Sequence, residues 1–402
     1  MRCVVIDVVG IGADGWEGLS ARARDAVAAA EVLLGSERQL ALVPDSGAKR
    51  VPWPSPLLPQ LDALLAEHAG RRVCVLASGD PLLSGIGTTL IRRLGAARVR
   101  VLPAVSSVTL ARARLGWSFE ETEVISAVGR NVHRLARALA PGARLLVLSA
   151  DGSTPGRVAD VLTARGYGAS RLTVLADLGT AEESRVEGTA AAWPGGDSPP
   201  LNVVAIECRA DAGSPLLPVV AGLPDDAFEH DGQLTKRDLR ASALARLAPV
   251  PGQLLWDIGA GAGSVAIEWL RAHPSTRAVA FERDPHRAER ITRNAERLGV
   301  PELAVVVGAA PGVLERDEAP DAIFVGGGTS VPDLLTTCYR RLAPGGRLVA
   351  HGVTLESEAA LATAYQEHGG ELTRIAIEHA SGLGGFTGWT PARTVTQWSV
   401  RR

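Results

Sequence analysis

The fold of this chain is decided by the stretch Leu254-Leu255-Trp256-Asp257-Ile258-Gly259-Ala260-Gly261-Ala262-Gly263-Ser264-Val265-Ala266-Ile267-Glu268. An apolar run ends in Asp257, glycines follow at three alternate positions, and an amphipathic segment then begins. This order predicts a β-strand, a tight loop and the N-terminus of a helix. Glycine lets the backbone adopt positive φ and lets a ligand approach without meeting a Cβ, and a helix N-terminus presents free N–H groups. The stretch therefore predicts a nucleotide-type site in an α/β domain.

Two acidic residues indicate the kind of ligand. The dinucleotide fingerprint requires glycine at its first, third and sixth positions, but the sixth position counted from Gly259 is Ser264. Asp257 lies two residues before the first glycine, and Glu282 ends the next apolar run, 25 residues later, where an acid can hold ribose hydroxyls. The pattern D-x-G-x-G-x-G with this second acid resembles the S-adenosylmethionine (SAM) loop of class I methyltransferases. NAD binding and a glycine-rich turn without a ligand remain alternatives. The resemblance implies that SAM is held by Asp257, Gly259, Ala260, Gly261, Ala262, Gly263 and Glu282.

Length and composition favour two soluble α/β domains. At 402 residues the chain exceeds one typical domain, and its net charge of −2 argues against a broad nucleic-acid surface. The cysteines are scattered among apolar segments, which favours buried thiols and predicts no metal site; they are Cys3, Cys74, Cys208 and Cys338. No signal peptide and no apolar run of roughly 18 residues is present. We therefore expect a cytoplasmic protein without membrane contact.

Strand and helix signals alternate through the first half. Strand-like runs lie at 4–9, 73–77, 99–102, 124–126, 145–148, 172–175 and 203–206. A helix is predicted from about Ser20, its expected N-cap, to Ala30. Small or polar loops follow the first three runs, and such strand ends line the ligand crevice of open α/β sheets. We predict an α/β domain at 1–208 with subdomains at about 1–115 and 116–208.

These loops carry three motifs: V-x-G-I-G near the start, S-G-D-P at 78–81 and P-A-V-S-S at 103–107. Together they resemble the class III, or tetrapyrrole, methyltransferases, in which SAM lies in the cleft between two subdomains. The resemblance implies cofactor contacts from Asp80, Leu83, Ser106 and Ser107, with Gly10 and Gly12 nearby. Asp80-Pro81 could also be only a turn.

The first half departs from its family at one place. Residues 126–130 read S-A-V-G-R where related proteins often read S-x-H-G-R. Val128 replaces the histidine, which puts any role of that histidine in doubt. Arg130 is a candidate for binding a substrate carboxylate, with a solvated loop arginine as the alternative.

The second half begins after an irregular segment at 209–226, which contains three prolines and is predicted to be a linker. Strand-like segments follow at 254–259, 278–283, 303–308, 322–326, 347–352, 371–378 and 394–400. Helical stretches separate the first six, and a glycine-rich turn at 382–388 would join the last pair as an antiparallel hairpin. This predicts a Rossmann-like, seven-stranded sheet in a domain at 227–402. Thr235 and Asp238 approximate a capping box for a helix that runs to about Leu247.

The second half also carries a larger set of motifs: G-Q-L-T-K-R-D-L-R, D-I-G-A-G-A-G-S-V-A-I-E-W, G-A-A-P, F-V-G-G-G and L-A-P-G-G-R-L-V-A. It resembles the decarboxylating methyltransferase domain of cobalamin synthesis. A class III domain followed by this class I domain is the layout of a fused family of precorrin methyltransferases. The resemblance implies further cofactor contacts from Thr235 and Ala310. His351 stands where relatives often carry asparagine, and no role is assigned to it.

Several functional expectations follow from this double resemblance. The chain would bind SAM at two sites, one per domain, and act on a carboxylate-rich tetrapyrrole. The first half would methylate carbon 5, and the second would methylate carbon 15 and release the ring-C acetate carboxylate as carbon dioxide. A homo-oligomer, up to a tetramer through the C-terminal domain, is also implied. The resemblance identifies no catalytic residue.

Basic residues before the glycine loop are candidates for binding the substrate carboxylates. They are Lys236, Arg237 and Arg240, with a solvated basic helix face as the alternative. Glu268 could move a proton, but a structural role is the stronger expectation. Two other functions stay open: a SAM-dependent methyltransferase on RNA or another small molecule, and a chain in which one half only delivers substrate. The (D/N)-P-P-(Y/F) motif of base-amino methyltransferases is absent from the sequence.

Overall fold

The computed structural model describes residues 5–402, so Cys3 and the first residue of the strand predicted at 4–9 lie outside the described residues. The chain forms two compact units. The first contains the residues up to Val132 together with Pro141–Ser214, and the second contains Pro215–Arg402 together with His133–Ala140. The change from one unit to the other after Ser214 falls within the segment predicted as a linker. In the described part of the chain, no helix has the length and apolar character needed to cross a membrane.

The first unit begins with a wholly parallel sheet whose strand order is β3-β2-β4-β1-β5. Its elements are β1 (Ile6–Ile11), α1 (Ala21–Ala28), β2 (Val32–Gly35), α2 (Glu37–Ala41), β3 (Lys49–Pro52), α3 (Leu61–Glu67), β4 (Val73–Ser78), α4 (Ile86–Leu94), β5 (Val99–Leu102) and α5 (Ser107–Leu115). Alternate residues of β1 and β4 enter two separate hydrophobic clusters, so both faces of the sheet are buried. Because all strands run in one direction, the loops that follow them meet at one edge.

A second, mixed sheet completes the first unit. Its elements are β6 (Thr122–Ser126), β7 (Arg144–Leu148), α6 (Thr154–Ala164), β8 (Arg171–Ala176), β9 (Ser184–Thr189) and β10 (Asn202–Glu207), in the strand order β6-β7-β10-β8-β9. Only β6 and β7 pair in parallel. The sequence did not predict β2, β3 or β9. Strands β3 and β9 are exposed edge strands, and such strands lack the apolar pattern by which strands are recognised.

The second unit is built around a sheet of seven strands in the order β13-β12-β11-β14-β15-β19-β16. The elements are α7 (Arg237–Leu247), β11 (Leu254–Ile258), α8 (Ser264–Ala272), β12 (Arg277–Glu282), α9 (Pro285–Arg297), β13 (Ala304–Val307), β14 (Ala322–Val325), α10 (Leu334–Arg341), β15 (Arg347–Gly352), α11 (Leu355–His368), β16 (Glu371–Ile375), β17 (Glu378–Leu383), β18 (Phe386–Pro391) and β19 (Val395–Arg401). Strands β11 to β15 are parallel, and β19 is antiparallel to both of its neighbours. Each of the seven predicted segments contains one strand of this sheet.

The end of the chain differs from the predicted hairpin. Strands β16 and β19 do pair antiparallel, but they are not joined by one turn. Between them, β17 and β18 form a separate two-stranded hairpin in which almost every residue is exposed. Its residues show no alternation of apolar and polar side chains along the strands, so the sequence pattern marked only the glycine-rich turn.

Helix ends and cysteines give a mixed outcome. Ser20 caps α1 by accepting a hydrogen bond from the backbone amide of Ala23, as predicted. The predicted capping box at Thr235 is wrong, because α7 begins at Arg237 and its N-cap is Lys236, which makes no side-chain cap. The three described cysteines are buried, as expected; they are Cys74, Cys208 and Cys338. Burial raises the pKa of the Cys74 thiol to about 12.

Candidate functional site

The glycine loop of the second unit lies at the carboxyl edge of the seven-stranded sheet, between β11 and α8. Gly261 has φ +60°, and a Cβ at this position would lie 2.7 Å from the carbonyl oxygen of Gln233. The loop can therefore take this path only with glycine here. The same contact places the G-Q-L-T segment against the loop, so the backbone near Thr235 borders the predicted cofactor site.

Two buried carboxylates accept hydrogen bonds from the backbone of this loop and of the helix that follows it. Asp257 is 1% exposed, and its Oδ2 accepts a hydrogen bond of 3.0 Å from the amide of Ala266 in the first turn of α8. Its Oδ1 is buried and has no hydrogen-bond partner among the described residues. The pKa of Asp257 is raised to about 7, chiefly by burial; the Ala266 amide opposes the shift, and the nearby Glu282 carboxylate adds to it. An orphaned, buried acid of this kind marks a site that holds a ligand or stores strain.

Glu282 occupies the predicted place at the end of β12. Its Oε2 accepts from the amide of Gly261 at 2.8 Å, and its Oε1 accepts from the amide of Asp284 at 3.1 Å. The side chain is almost fully buried, so it holds the loop in shape. Each carboxylate oxygen retains further acceptor capacity, which is what two ribose hydroxyls would need.

The loops after the neighbouring strands meet the glycine loop at the same edge. The amide of Gly308 donates to the Glu282 carbonyl, and the amide of Gly326 donates to the Ile258 carbonyl. Ala310, predicted to border the adenine ring, is partly buried against the cluster that covers the α10 and α11 face of the sheet. Ala260 is also partly buried, whereas Ala262 is fully buried and offers no side-chain surface to a ligand.

The structure contradicts one predicted substrate contact. Arg240 is fully buried, with its Nε 2.6 Å from Glu268 Oε1 and its Nη1 3.2 Å from Asp225 Oδ1. Its remaining N–H groups donate to the carbonyls of Thr235 and Leu223. The guanidinium is thus fully used inside the domain and cannot bind a substrate.

The same cluster decides the role of Glu268. Its two oxygens accept from the amides of Gly222 and Leu223 in addition to Arg240. The structural role expected for Glu268 is confirmed, because its side chain is buried and both oxygens accept hydrogen bonds within the domain. Lys236 and Arg237 remain exposed at the start of α7, and the Lys236 Nζ lies 3.8 Å from Asp225.

Asn294 is a site residue that the sequence did not reveal. It is buried on α9, and its Nδ2 donates to the carbonyl of Ala262 in the glycine loop at 3.0 Å. The same side chain bonds the backbone of Glu229 in both directions, at 2.8 and 2.9 Å. An asparagine on the apolar face of an amphipathic helix, in register with Ala288 and Ile291, was the available signal.

His351 is buried at the end of β15, next to the strand that carries F-V-G-G-G. Its ring makes an edge contact with Phe324 at 5.1 Å, and its Nε2 lies 2.9 Å from the Gln397 side chain. With the oxygen and nitrogen of the Gln397 side-chain amide exchanged, the NH₂ group donates to that nitrogen and the oxygen accepts from Arg246. Burial lowers the pKa of His351 to about 4, so the imidazole is neutral at pH 7. These contacts are within the domain core.

The three predicted loops of the first unit also come together at one edge. The amide of Gly79 donates to the Ile11 carbonyl, and the amide of Ala104 donates to the Gly79 carbonyl. A Cβ at Gly10 would lie 1.9 Å from the oxygen of Gly79, so this close approach of two backbones requires glycine. Gly12 lies one residue beyond β1 at the same edge.

The predicted cofactor residues of this edge have distinct local roles. Asp80 closes a turn, since its Oδ1 accepts from the amide of Leu82 at 2.8 Å. Leu83 packs against a cluster formed by α5 and the second sheet. Ser106 is the N-cap of α5 and accepts from the amide of Thr109, whereas Ser107 is exposed in the first turn. The structure brings all four together but leaves their contact with a cofactor as a prediction.

The S-A-V-G-R segment forms an exposed turn after β6. The amide of Arg130 donates to the carbonyl of Ala127, and the Val128 side chain is 52% exposed. The Arg130 side chain is exposed, so it remains available as a predicted contact for a substrate carboxylate.

Comparison with known proteins identifies both halves. Residues 5–193 match the family described as tetrapyrrole (corrin/porphyrin) methylases, and residues 226–402 match the precorrin methyltransferase domain. A protein of Mycobacterium tuberculosis (strain CDC 1551 / Oshkosh) named precorrin-6Y C(5,15)-methyltransferase [decarboxylating] is 49% identical over 402 residues, covering 99% of this chain and 100% of the relative. A protein of the same name from a Sinorhizobium species is 47% identical over 395 residues, or 98% of this chain and 95% of the relative.

A shorter relative matches only part of the chain. This probable cobalt-precorrin-6B C(15)-methyltransferase (decarboxylating) of Pyrobaculum aerophilum is 33% identical over 182 residues, which is 43% of this chain and 92% of the relative. With two full-length relatives at nearly half identity, the chain belongs to the family of precorrin-6Y C(5,15)-methyltransferases (decarboxylating), which are SAM-dependent enzymes.

Proposed function

We propose that the chain methylates precorrin-6Y at carbons 5 and 15 and decarboxylates its ring-C acetate, giving precorrin-8x in cobalamin biosynthesis. The observation that carries the proposal is the presence of two separate carboxyl edges, one in each unit, each closed by a glycine that no other residue could replace. The first unit would act at carbon 5 as a class III methyltransferase. The second would act at carbon 15 as a Rossmann-like class I methyltransferase. The shorter Pyrobaculum relative, whose name gives only the C(15) activity, is about as long as this second unit.

The residues of the second edge fit SAM. The buried Oδ1 of Asp257 has no hydrogen-bond partner in the described structure, and Gly261 leaves the space that a Cβ would fill. When bound, SAM supplies a methyl group that is already activated as an electrophile. The chain's contribution is to hold and orient the reactants, because in-line attack requires the reacting atoms at roughly 3–3.5 Å. Glu282 would accept from the ribose hydroxyls, and Thr235 and Ala310 would border the ligand.

The residues of the first edge fit the same cofactor. Gly10 and Gly79 bring two loops into backbone contact, and Ser107 presents its hydroxyl in the first turn of α5. We propose that Asp80, Leu83, Ser106 and Ser107 hold SAM there, with Gly12 nearby. This gives two SAM sites per chain.

The substrate is a polycarboxylate, and we propose that exposed basic residues bind it. Lys236 and Arg237 stand at the start of α7, and Arg130 stands in the turn after β6. Charge-assisted hydrogen bonds to carboxylates suit these side chains. Decarboxylation then requires that the acetate be held away from water, since desolvation favours loss of the charged group as carbon dioxide. The conjugated macrocycle accepts the electron pair of the carbon–carbon bond that breaks.

We also propose that the chain forms a homo-oligomer, up to a tetramer, through its second unit. The hairpin of β17 and β18 exposes three large apolar side chains: Leu383 at 69%, Phe386 at 83% and Trp389 at 72%. A two-stranded hairpin is marginally stable in water on its own. Exposed apolar clusters of this kind typically mark an interaction surface.

Calorimetric titration of SAM into the intact chain tests the double-site proposal. We expect two sites per chain, one lost in Glu282→Gln and the other lost in Asp80→Ala. Glu318→Gln is the control, because Glu318 is exposed and pairs with Arg277 at the amino edge of the seven-stranded sheet. A single site that disappears in Glu282→Gln would make the first half a substrate carrier, and absence of binding would overturn the assignment.

The product provides a second criterion. Mass spectrometry of the wild-type reaction with precorrin-6Y should show the gain of two methyl groups and the loss of one carbon dioxide. Transfer of methyl groups to RNA but not to the tetrapyrrole would support the alternative substrate class.

A further inference from the structure

Arg38 reaches the carboxyl edge of the first sheet from α2. Its Nη2 donates to the hydroxyl of Ser78 at 3.1 Å. Ser78 is the last residue of β4 and directly precedes Gly79, whose backbone joins the loops after β1 and β5. A guanidinium from another element is thus brought to the junction of the three loops.

This guanidinium is half-buried and lacks a close acidic partner. In the same unit, Arg100 and Arg114 form paired hydrogen bonds with Asp7 and Glu183. Across residues 5–402, no carboxylate lies within ion-pair distance of Arg38. A partly desolvated charge without a counter-ion is unfavourable, so the site is incomplete as it stands.

The pKa of Arg38 reports the same environment. Burial lowers it, and the only acid that acts against this shift is Asp177. Asp177 follows β8 of the second sheet and has φ +49°, in the left-handed region that few residues other than glycine adopt. Arg38 therefore lies at the boundary of the two sheets of the first unit, where the cofactor cleft of this fold is proposed.

Ser78 adds a second donor beside Arg38. Its hydroxyl oxygen accepts from Arg38 and also from the Nε2 of Gln39, at 3.0 Å. The Gln39 side chain is buried and locked by its capping box with Ser36. A hydroxyl has two acceptor positions and one proton. With both acceptor positions filled by N–H groups, the proton of this exposed hydroxyl is directed to an outside acceptor.

We propose that Arg38 and Ser78 form a binding site for a carboxylate of the tetrapyrrole substrate in the first unit. The inference rests on the proposed function, in which this unit methylates carbon 5. The chemistry of the pair suits a carboxylate, because the guanidinium fork and the hydroxyl donate side by side to two oxygens. The carboxylate of SAM has the same chemistry, and the experiment below separates the two sources.

The test uses the full chain with precorrin-6Y and SAM. Arg38→Gln should raise the KM for the tetrapyrrole in carbon-5 methylation by about 10–100-fold, as expected for loss of a charge-assisted hydrogen bond. Ser78→Ala should raise it by about 2–10-fold, and Arg38→Lys should recover part of the loss. The dissociation constant of SAM and methylation at carbon 15 should not change.

Arg72→Gln is the matched control, because Arg72 is exposed at the opposite end of β4 and pairs with Glu31. An unchanged KM in Arg38→Gln with an unchanged melting temperature would overturn the inference. A weaker SAM affinity with an unchanged tetrapyrrole KM would also overturn it and assign the pair to the cofactor. If the wild-type chain itself failed to methylate carbon 5, the proposed function would fail and the variants would not be the cause.

Discussion

At the scale of single residues, Asp257 links the stability of the fold to the proposed cofactor site. One carboxylate oxygen holds the first turn of α8, and the other is buried without a partner in the described structure. Burial raises its pKa to about 7, while in an unfolded chain it would titrate near 3.9. Between these values the folded state holds a proton that the unfolded state has released. The ionisation of Asp257 therefore makes the fold less stable as pH rises from about 4 to 7.

We expect Asp257→Asn to stabilise the second unit at pH 8 by about 2–4 kcal/mol, since the amide keeps an acceptor for Ala266 and carries no charge. The advantage over wild type should be small at pH 4 and vanish below about pH 3, where the wild-type carboxyl is protonated in both states. Scanning calorimetry at both pH values measures this difference. The same variant should bind SAM about ten-fold more weakly at the second site, because a charge near a cationic ligand is lost. An equal difference in melting temperature at pH 4 and pH 8 would contradict the assignment.

At the scale of elements, α7 places two basic residues, four positions apart, in different surroundings: one is buried and the other is exposed. Arg240 points into the domain, where Glu268 and Asp225 neutralise it and Phe228 lies against its guanidinium at 4.8 Å. Lys236 lies at the helix start, with its side chain 54% exposed. The helix thus has a buried structural anchor at one end of its first turn and an exposed cation, 3.8 Å from Asp225, at the other.

Alanine at these two positions should have opposite effects. Arg240→Ala leaves Glu268 buried without its cation and should reduce the free energy of unfolding by about 3–5 kcal/mol. Lys236→Ala should leave that free energy nearly unchanged but raise the KM for the tetrapyrrole about 3–10-fold, as for an exposed charged contact. Urea denaturation and steady-state kinetics on each variant provide the two measurements. A stable Arg240→Ala chain with impaired substrate binding would restore Arg240 as a substrate residue.

At the scale of the whole molecule, the hairpin of β17 and β18 leaves large apolar side chains exposed to water if the chain is a monomer. Leu383 and Phe386 are paired across the two strands at its tip, and Trp389 lies farther along β18. We expect the triple variant Leu383→Ser, Phe386→Ser and Trp389→Ser to shift the chain to monomer in sedimentation velocity while it keeps its SAM sites. The control is Leu355→Ser, another strongly exposed leucine, at the start of α11. A wild-type chain that sediments as a monomer would remove the oligomer proposal.

Much of the site could be predicted from the sequence because its parts are local. Asp257, Gly261 and Glu282 follow from the order of strand, loop and helix along contiguous residues. Backbone conformation at a strand end depends chiefly on near neighbours, so the spacing of these residues carries the information. The same holds for Ser20 as a helix cap and for Gly10 at its strand end, where the residue type meets a demand of the backbone itself.

The amino-acid sequence by itself determined the two α/β halves, the three loop motifs of the first half and the acid–glycine–acid pattern of the second. Only the tertiary structure decided which polar side chains are left for a ligand. The sequence alone does not distinguish Arg240 from Lys236 as a substrate-binding residue. In the fold, Arg240 bonds Glu268, 28 positions away, and is buried in the core. Arg38 meets Ser78 across 40 positions and so lies at the junction of the three loops, where we propose a carboxylate site. The physical reason is that burial and charge pairing depend on residues distant in the chain, which only folding brings into contact.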